Sequence, residues 1–127
     1  MKTIVVIDDD PIYQMLVKKM IDKVEPGHTI VNFLNITDNL EKILDLFSNQ
    51  KKEIIVLLDI NLPGIDGWEF LDLLNAKDFD KNHIRIYLVS SSVDREDHEK
   101  SQTCPKVIKY YSKPLYMKDF DSILNPH

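Results

Sequence analysis

The sequence predicts an α/β fold: a doubly wound, five-stranded parallel sheet with helices on both of its faces. Two observations support this fold class. Five short apolar runs alternate with five helical patterns along the chain, an order typical of parallel sheets. The third run, Ile54–Leu58, has no polar interruption and leads directly into Asp59, as expected of a central strand buried on both faces.

Length and composition narrow the class of protein. A chain of 127 residues corresponds to one domain, which we expect to span residues 1–127. The net charge of −5 argues against a nucleic-acid-binding protein, which normally needs a basic patch. The single cysteine, Cys104, rules out an internal disulfide and favours a reducing, cytoplasmic location. The apolar runs are too short for a signal peptide or a membrane span.

The first strand is predicted over Thr3–Ile7, where every residue is β-branched. A helix follows, with Asp10 as its cap and Pro11 at its first position. The residues expected to form the buried stripe of this helix are Ile12, Met15, Leu16, Met20 and Val24. Pro26 and Gly27 end the helix.

The second strand is predicted over Thr29–Leu34, followed by a turn and cap at Asn35–Asp38. We expect Thr37 to have no role beyond starting the next helix. The apolar stripe of that helix comprises Leu40, Ile43, Leu44 and Phe47. The strand that ends at Asp59 comes next.

A tight loop follows Asp59. The residues that shape it are Pro63, Gly64 and Gly67. Asp66 and Glu69 have the spacing of a capping box, which predicts the start of a helix there. The residues expected on the buried face of that helix are Phe70, Leu71 and Leu74.

The last third of the chain supplies two more strands. The fourth is predicted over Ile84–Val89 and leads into Ser90, and the fifth over Val107–Tyr111 leads into Lys113-Pro114. Between them, Arg95–Gln102 is expected to be a helix with almost no apolar face, and therefore the most mobile element. The residues expected on the apolar face of a short final helix are Phe120, Ile123 and Leu124.

Parallel strands bring their carboxyl ends to one edge of a sheet, which is where ligands bind in such folds. The polar residues gathered at this edge are Asp8, Asp9, Asp59, Ser90 and Lys113. Two like charges about 4 Å apart cost roughly 4 kcal/mol at an effective dielectric near 20, so clustered acids either raise a pKa or hold a cation. Oxygen ligands without histidine or cysteine favour Mg²⁺.

These groups together suit phosphoryl transfer, in which positioning and charge stabilisation provide most of the catalysis. Lys113 adds a second positive charge beside the metal, and Ser90 adds a hydroxyl donor. Asp59 is the expected nucleophile, which would form an aspartyl phosphate.

Along nearly its whole length the chain resembles the receiver domain of two-component response regulators. Any one of the matching features is weak, but their combination at these spacings is specific. The matching residues are the acidic pair Asp8-Asp9, the phosphoacceptor loop of Asp59, Asn61, Pro63, Gly64 and Gly67, the switch residue Ser90, the switch aromatic Tyr110 and the pair Lys113-Pro114.

The resemblance implies a flavodoxin-like sheet with strand order 2-1-3-4-5 and a set of roles. Asp59 would accept a phosphoryl group from a phosphohistidine on a histidine kinase or a histidine phosphotransfer protein. Lys113 would contact a phosphoryl oxygen, Ser90 would move to bond the phosphoryl group, and Tyr110 would swing inward behind it. The implied Mg²⁺ ligands are Asp9, Asp59 and the backbone carbonyl of Asn61, with help from Asp8.

The resemblance also implies an output face on the fourth helix, fifth strand and fifth helix. The residues expected to be displayed there are Lys109, Tyr111, Tyr116 and the stretch 95–100. Departures from the usual pattern are Ser90 in place of threonine, Lys109 before the switch tyrosine, and a short last helix. Asn61 and Ser92 match variable positions that tune dephosphorylation in the family.

We expect a stand-alone signalling domain that is not an enzyme, is a monomer or weak dimer, and acts through protein contact. Two alternatives remain open. The Asp8-x-Asp10 sequence is similar to the start of haloacid-dehalogenase-type phosphatases, whose nucleophile would here be Asp8. A degenerate receiver that only binds other proteins is the other alternative.

Overall fold

The computed structural model describes residues 2–49, 53–77, 83–91 and 95–126. It confirms the predicted fold class and the order of elements. The strands are β1 (Thr3–Ile7), β2 (Thr29–Phe33), β3 (Ile54–Leu58), β4 (Ile84–Ser90) and β5 (Val107–Ser112). The helices are α1 (Pro11–Val24), α2 (Leu40–Asn49), α3 (Gly67–Asn75), α4 (Arg95–Gln102) and α5 (Met117–Leu124). The predicted strand ends therefore differ from the observed ones by a single residue in β2, β4 and β5.

All five strands are parallel, in the order β2-β1-β3-β4-β5. The pairing aligns the last residues of neighbouring strands: Ile7 lies opposite both Phe33 and Leu58. Leu58 in turn lies opposite Leu88, two residues before the end of β4. Because the strand ends are nearly level, the residues that follow them meet at one edge of the sheet, as the sequence predicts.

Alternate residues of the central strands supply two separate cores. From β3, Ile54, Val56 and Leu58 pack on the side of α2 and α3. Ile55 and Leu57 pack on the side of α1 and α5. The side chains expected on α2, α3 and α5 lie in these cores, with Leu40 and Leu44 only partly buried at the margin. Side chains therefore alternate between the two faces, as required of a strand covered on both.

The buried face predicted for α1 is wrong. Its buried residues are Gln14, Val17 and Ile21, whereas Ile12 is 78% exposed. Met15 and Leu16 are also exposed, and Met20 and Val24 are only partly buried. The helix still starts as expected, since the Asp10 carboxylate accepts hydrogen bonds from the backbone N–H groups of the first turn.

Gln14 gives the physical reason for this rotation of α1. Its side-chain amide nitrogen lies 3.0 Å from the carbonyl oxygen of Val6, 3.1 Å from that of Asp8 and 3.1 Å from that of Phe33. These carbonyls lie at or next to the ends of β1 and β2, and they give a buried side-chain amide the hydrogen-bond acceptors that it needs. A buried amide thus takes the inward position that an apolar residue was expected to fill.

The helix α4 forms as predicted and buries only Ser101. Polar and aromatic contacts hold it in place. The indole N–H of Trp68 donates to the carboxylate of Asp97 at 3.1 Å, and the Lys100 ammonium lies 4.8 Å from the centre of the Trp68 ring.

The neighbouring strand β5 corrects one residue of the expected output face. Tyr111 is buried rather than displayed, and its ring packs 6.1 Å from that of Tyr87. Lys109 and Tyr116 are exposed, as expected. Strand alternation explains the difference, because Tyr111 points to the face opposite Tyr110. No helix within the described residues is long and apolar enough to cross a membrane.

Candidate functional site

Asp8 and Asp59 directly follow β1 and β3, and the sheet fixes both through their backbones. The Asp8 N–H donates to Phe33 and the Asp59 N–H donates to Ile7, so each acid continues the ladder by one bond. Both residues are buried, with exposures of 2% and 7%, and Asp9 is exposed. Within the described residues, one carboxylate oxygen from each of Asp8, Asp9 and Asp59 lies within 4.8 Å of the other two.

Lys113 reaches this acidic cluster from the end of β5. Its backbone N–H donates to the Ser90 carbonyl at 2.9 Å, and its peptide bond to Pro114 is cis. Its ammonium nitrogen Nζ lies 2.6 Å from Oδ2 of Asp8 and 3.3 Å from Oδ2 of Asp59. One cation therefore bridges acids that come from the first and third strands.

Burial and charge shift the titration of these groups. Burial raises the pKa of Asp59, against the lowering effects of the Asn61 backbone N–H and of Lys113. Burial lowers the pKa of Lys113, but its hydrogen bond to Asp8 and the negative charges of Asp59 and Asp8 outweigh this, so that the pKa is raised. The surroundings therefore favour the charged form of the Lys113 ammonium, whereas burial disfavours the charged form of the Asp59 carboxyl group.

Asn61 connects Asp59 to Ser90. Its backbone N–H donates to Oδ1 of Asp59 at 3.1 Å, and its side-chain amide donates to Oγ of Ser90 at 3.1 Å. Ser90 is fully buried at the end of β4. The other residue that matches a position tuning dephosphorylation, Ser92, lies outside the described residues.

The loop between β3 and α3 is held by Thr37, contrary to the expectation that Thr37 only starts a helix. The hydroxyl of Thr37 accepts a hydrogen bond from the Ile65 N–H at 2.9 Å. Gly64 has a φ of +75°, and a Cβ there would overlap the Thr37 hydroxyl. Gly67 packs so closely on the end of β3 that a Cβ would lie 2.8 Å from the Cα of Ile60. The loop therefore has both glycines where side chains do not fit.

Tyr110 lies on β5, three residues before Lys113, and is partly buried. Its ring meets the His98 ring of α4 edge-on, with centroids 5.5 Å apart. The predicted switch aromatic therefore contacts α4 directly.

Two residues near the site were not anticipated from the sequence. Gln14 supports the backbone of Asp8, as described above. The ring of Tyr13 lies 4.2 Å from the Lys113 ammonium, and burial together with the charges of Asp8 and Asp59 raises the pKa of its hydroxyl. Gln14 could have been noticed in the sequence, because it is a polar residue at helical spacing from the apolar residues Val17 and Ile21. Tyr13 gave no such signal, because its contact depends on how α1 packs beside the end of β5.

The donor set fits a hard divalent cation. The three clustered side chains offer only carboxylate oxygens, which suit Mg²⁺ better than the softer transition metals. They carry three negative charges against the one positive charge of Lys113, so the cluster retains excess negative charge that a cation would offset.

The known proteins to which the chain is similar are response regulators. A family model for the response regulator receiver domain matches residues 4–125. The nitrate/nitrite response regulator protein NarL of Escherichia coli is 36% identical over 95 residues, which cover 75% of this chain. That alignment covers 40% of NarL, so the chain spans about two fifths of this curated relative.

Solved structures have the same fold. A two-component response regulator from Cytophaga hutchinsonii superposes with a TM-score of 0.84 at 31% identity, covering 98% of this chain and 94% of that one. A response regulator receiver protein from Dyadobacter fermentans superposes with a TM-score of 0.79 at 22% identity, covering 98% and 95%. The latter likeness concerns the fold alone.

Proposed function

The chain belongs to the response regulator receiver domain family, and we propose that it accepts a phosphoryl group on Asp59 from a phosphohistidine of a partner protein. One observation carries this proposal. The Asp59 carboxylate directly follows the central strand, clusters with the carboxylates of Asp8 and Asp9, and lies 3.3 Å through its Oδ2 from the Lys113 ammonium. This supports the proposal because a carboxylate nucleophile, further carboxylates that could hold a cation and a lysine ammonium are then side by side.

The transfer is a displacement at phosphorus. A carboxylate oxygen of Asp59 forms a bond to phosphorus as the phosphorus–nitrogen bond of the phosphohistidine breaks. The leaving imidazole nitrogen keeps the electron pair and takes up a proton. Lys113 is positioned to offset negative charge on the phosphoryl oxygens, because its ammonium already lies beside Asp59.

Mg²⁺ would be held by Asp9, Asp59 and the backbone carbonyl of Asn61, with help from Asp8. When bound, it supplies positive charge beside the phosphoryl oxygens. The charge of the ion and that of the Lys113 ammonium would together offset the negative charge of the clustered carboxylates.

The switch would run from Asp59 through Ser90 to Tyr110. The Ser90 hydroxyl now accepts a hydrogen bond from the Asn61 side chain, so this bond would break when Ser90 turns to a phosphoryl oxygen. Tyr110 would move inward and leave the edge of the His98 ring, which changes the surface formed by α4 and β5. We infer that output is through protein contact in the cytoplasm.

The phosphatase alternative, with Asp8 as the nucleophile, is disfavoured because the receiver-domain family model matches residues 4–125. Oδ1 of Asp8 accepts the Asp10 N–H at 2.9 Å, and Oδ2 accepts the Lys113 ammonium at 2.6 Å. These bonds hold Asp8 beside Lys113, and the receiver family to which the chain belongs uses the acid at the position of Asp59 as its phosphoacceptor. The degenerate-receiver alternative is disfavoured because the acidic cluster and the lysine are both in place.

Incubation with Mg²⁺ and acetyl phosphate tests the proposal. We expect intact-mass measurement to show the addition of one phosphoryl group to the wild type, and peptide mapping to locate it at Asp59. Asp59→Asn should abolish the addition. Asp38→Asn, which changes an exposed acid in the turn before α2, should retain it. Phosphorylation that persists in Asp59→Asn, or that maps to Asp8, would refute the assignment.

A further inference from the structure

We propose that Tyr13 is a positioning residue for Lys113, with its ring confining the ammonium to the site beside Asp59. This inference rests on the proposed function, since it concerns the lysine that would meet the phosphoryl group. The ammonium lies 4.2 Å from the ring centre, well within the roughly 6 Å over which a cation is attracted to an aromatic face.

Three groups surround the ammonium. Asp8 and Asp59 lie 2.6 Å and 3.3 Å away through their Oδ2 atoms, and the ring of Tyr13 supplies the third wall. Lysine has a long, flexible side chain that loses considerable rotamer entropy when it is fixed. The carboxylates hold it by charge, but a phosphoryl group on Asp59 would alter that charge, whereas the aromatic wall would remain.

Tyr13 is itself on a rigid support. Its backbone N–H donates to the capping carboxylate of Asp10 at 3.3 Å. The next residue, Gln14, is tied through its side chain to backbone carbonyls at the ends of β1 and β2. The first turn of α1 therefore cannot shift without breaking contacts to the strand that carries Asp8, and the ring keeps its place over Lys113.

The ring also keeps its electronic character. Burial, followed by the charges of Asp8 and Asp59, raises the pKa of the Tyr13 hydroxyl, so the ring stays neutral at physiological pH. An aromatic face attracts a cation through its quadrupole and does not fix it to one point. The ammonium can therefore slide from the carboxylates to a phosphoryl oxygen without leaving the ring.

A double-mutant cycle on folding stability, measured without phosphodonor, tests the contact directly. Tyr13→Leu should lower the folding equilibrium constant about two- to five-fold more in the wild-type background than in a Lys113→Met background. Tyr13→Phe keeps the aromatic face and should retain the coupling, and Tyr13→Met provides a second non-aromatic variant should Tyr13→Leu fold poorly. A cycle in which the two substitutions are additive would overturn the proposal.

Phosphorylation kinetics provide the second test. With Mg²⁺ and acetyl phosphate, Tyr13→Leu should react about two- to five-fold more slowly than the wild type, and Tyr13→Phe at close to the wild-type rate. Leu16→Ala, a truncation of an exposed side chain on the same helix, should also react at close to that rate. Equal rates for Tyr13→Leu and the wild type would overturn the proposal.

The two hypotheses fail differently. If Asp59 is not a phosphoacceptor, every variant and the wild type remain unmodified, and the stability cycle alone decides whether Tyr13 holds Lys113. If Asp59 is modified but the cycle is additive, the phosphoacceptor role stands and the positioning role of Tyr13 is wrong.

Discussion

Burial at the end of β3 raises the pKa of Asp59, and this shift makes the free energy of unfolding depend on pH. Its pKa is raised above the ordinary 3.8, so the folded protein binds a proton there more tightly than the unfolded chain does. At pH values above the folded-state pKa, the ionised carboxylate therefore lowers the free energy of unfolding. This cost diminishes as the pH falls through the raised pKa towards 3.8, because the folded state is then protonated.

Asp59→Asn should accordingly be more stable than the wild type at pH 7 in the absence of divalent metal. The difference in the free energy of unfolding should shrink as the pH is lowered to about 4, since protonation then makes the wild-type side chain neutral as well. Urea denaturation of both proteins with a chelator present, at several pH values, measures this difference. A stability advantage that does not change with pH would contradict a raised pKa for Asp59.

At the scale of elements, the loop between β3 and α3 depends on a contact with the turn before α2. Gly64→Ala forces a side chain into a left-handed conformation, at roughly 1–2 kcal/mol, and also pushes its Cβ against the Thr37 hydroxyl. We expect a loss of unfolding free energy larger than that backbone cost alone, measured by chemical denaturation. Gly27→Ala is the control, since Gly27 is the other glycine with positive φ among the described residues. It should lose unfolding free energy through the backbone conformation alone, without an overlap with Thr37.

Thr37→Ala separates the two contributions. It removes the hydroxyl that accepts the Ile65 N–H, which costs about 1 kcal/mol for an ordinary hydrogen bond. Combined with Gly64→Ala it should cost less than the sum of the two single changes, because the overlap is gone. Strict additivity would show that Thr37 and Gly64 do not interact.

At the scale of the whole molecule, the acidic cluster links metal binding to folding. It exists only when β1 and β3 are paired, so a cation that binds the cluster stabilises the folded state alone. Mg²⁺ at about one hundred times its Kd should add about 2.7 kcal/mol to the free energy of unfolding. Asp9→Asn, which removes the charge of an exposed carboxylate in the cluster, should lose most of this gain. Equal stabilisation of both proteins by Mg²⁺ would place the ion elsewhere.

The fold could be predicted from the sequence because its main signals are local. Continuous apolar runs mark buried parallel strands, and parallel strands place Asp8, Asp59 and Ser90 at one edge without any knowledge of the loops. The orientation of α1 could not be predicted in this way. Ile12, Met15 and Leu16 have an apolar pattern at helical spacing, and only the hydrogen bonds of Gln14 to distant carbonyls show which face turns inward.

The contact of Tyr13 with Lys113 could not be predicted from the sequence either, because it joins the first helix to the end of the last strand.

The sequence also could not show which of Tyr110 and Tyr111 is buried. The sequence gives two adjacent tyrosines in one strand, and strand alternation requires that they face opposite sides. Which of them is buried depends on the side covered by α5.

The bridge between Asp8 and Lys113 joins residues 105 positions apart. During synthesis on the ribosome, the acids emerge long before the lysine that offsets part of their charge. A nascent chain in which β1 and β3 have paired before β5 is made would therefore hold these acids together without Lys113, and β5 must add to β4 at the edge of the sheet before the lysine can offset part of their charge. Maturation of the domain should accordingly be completed only after translation has passed the last strand.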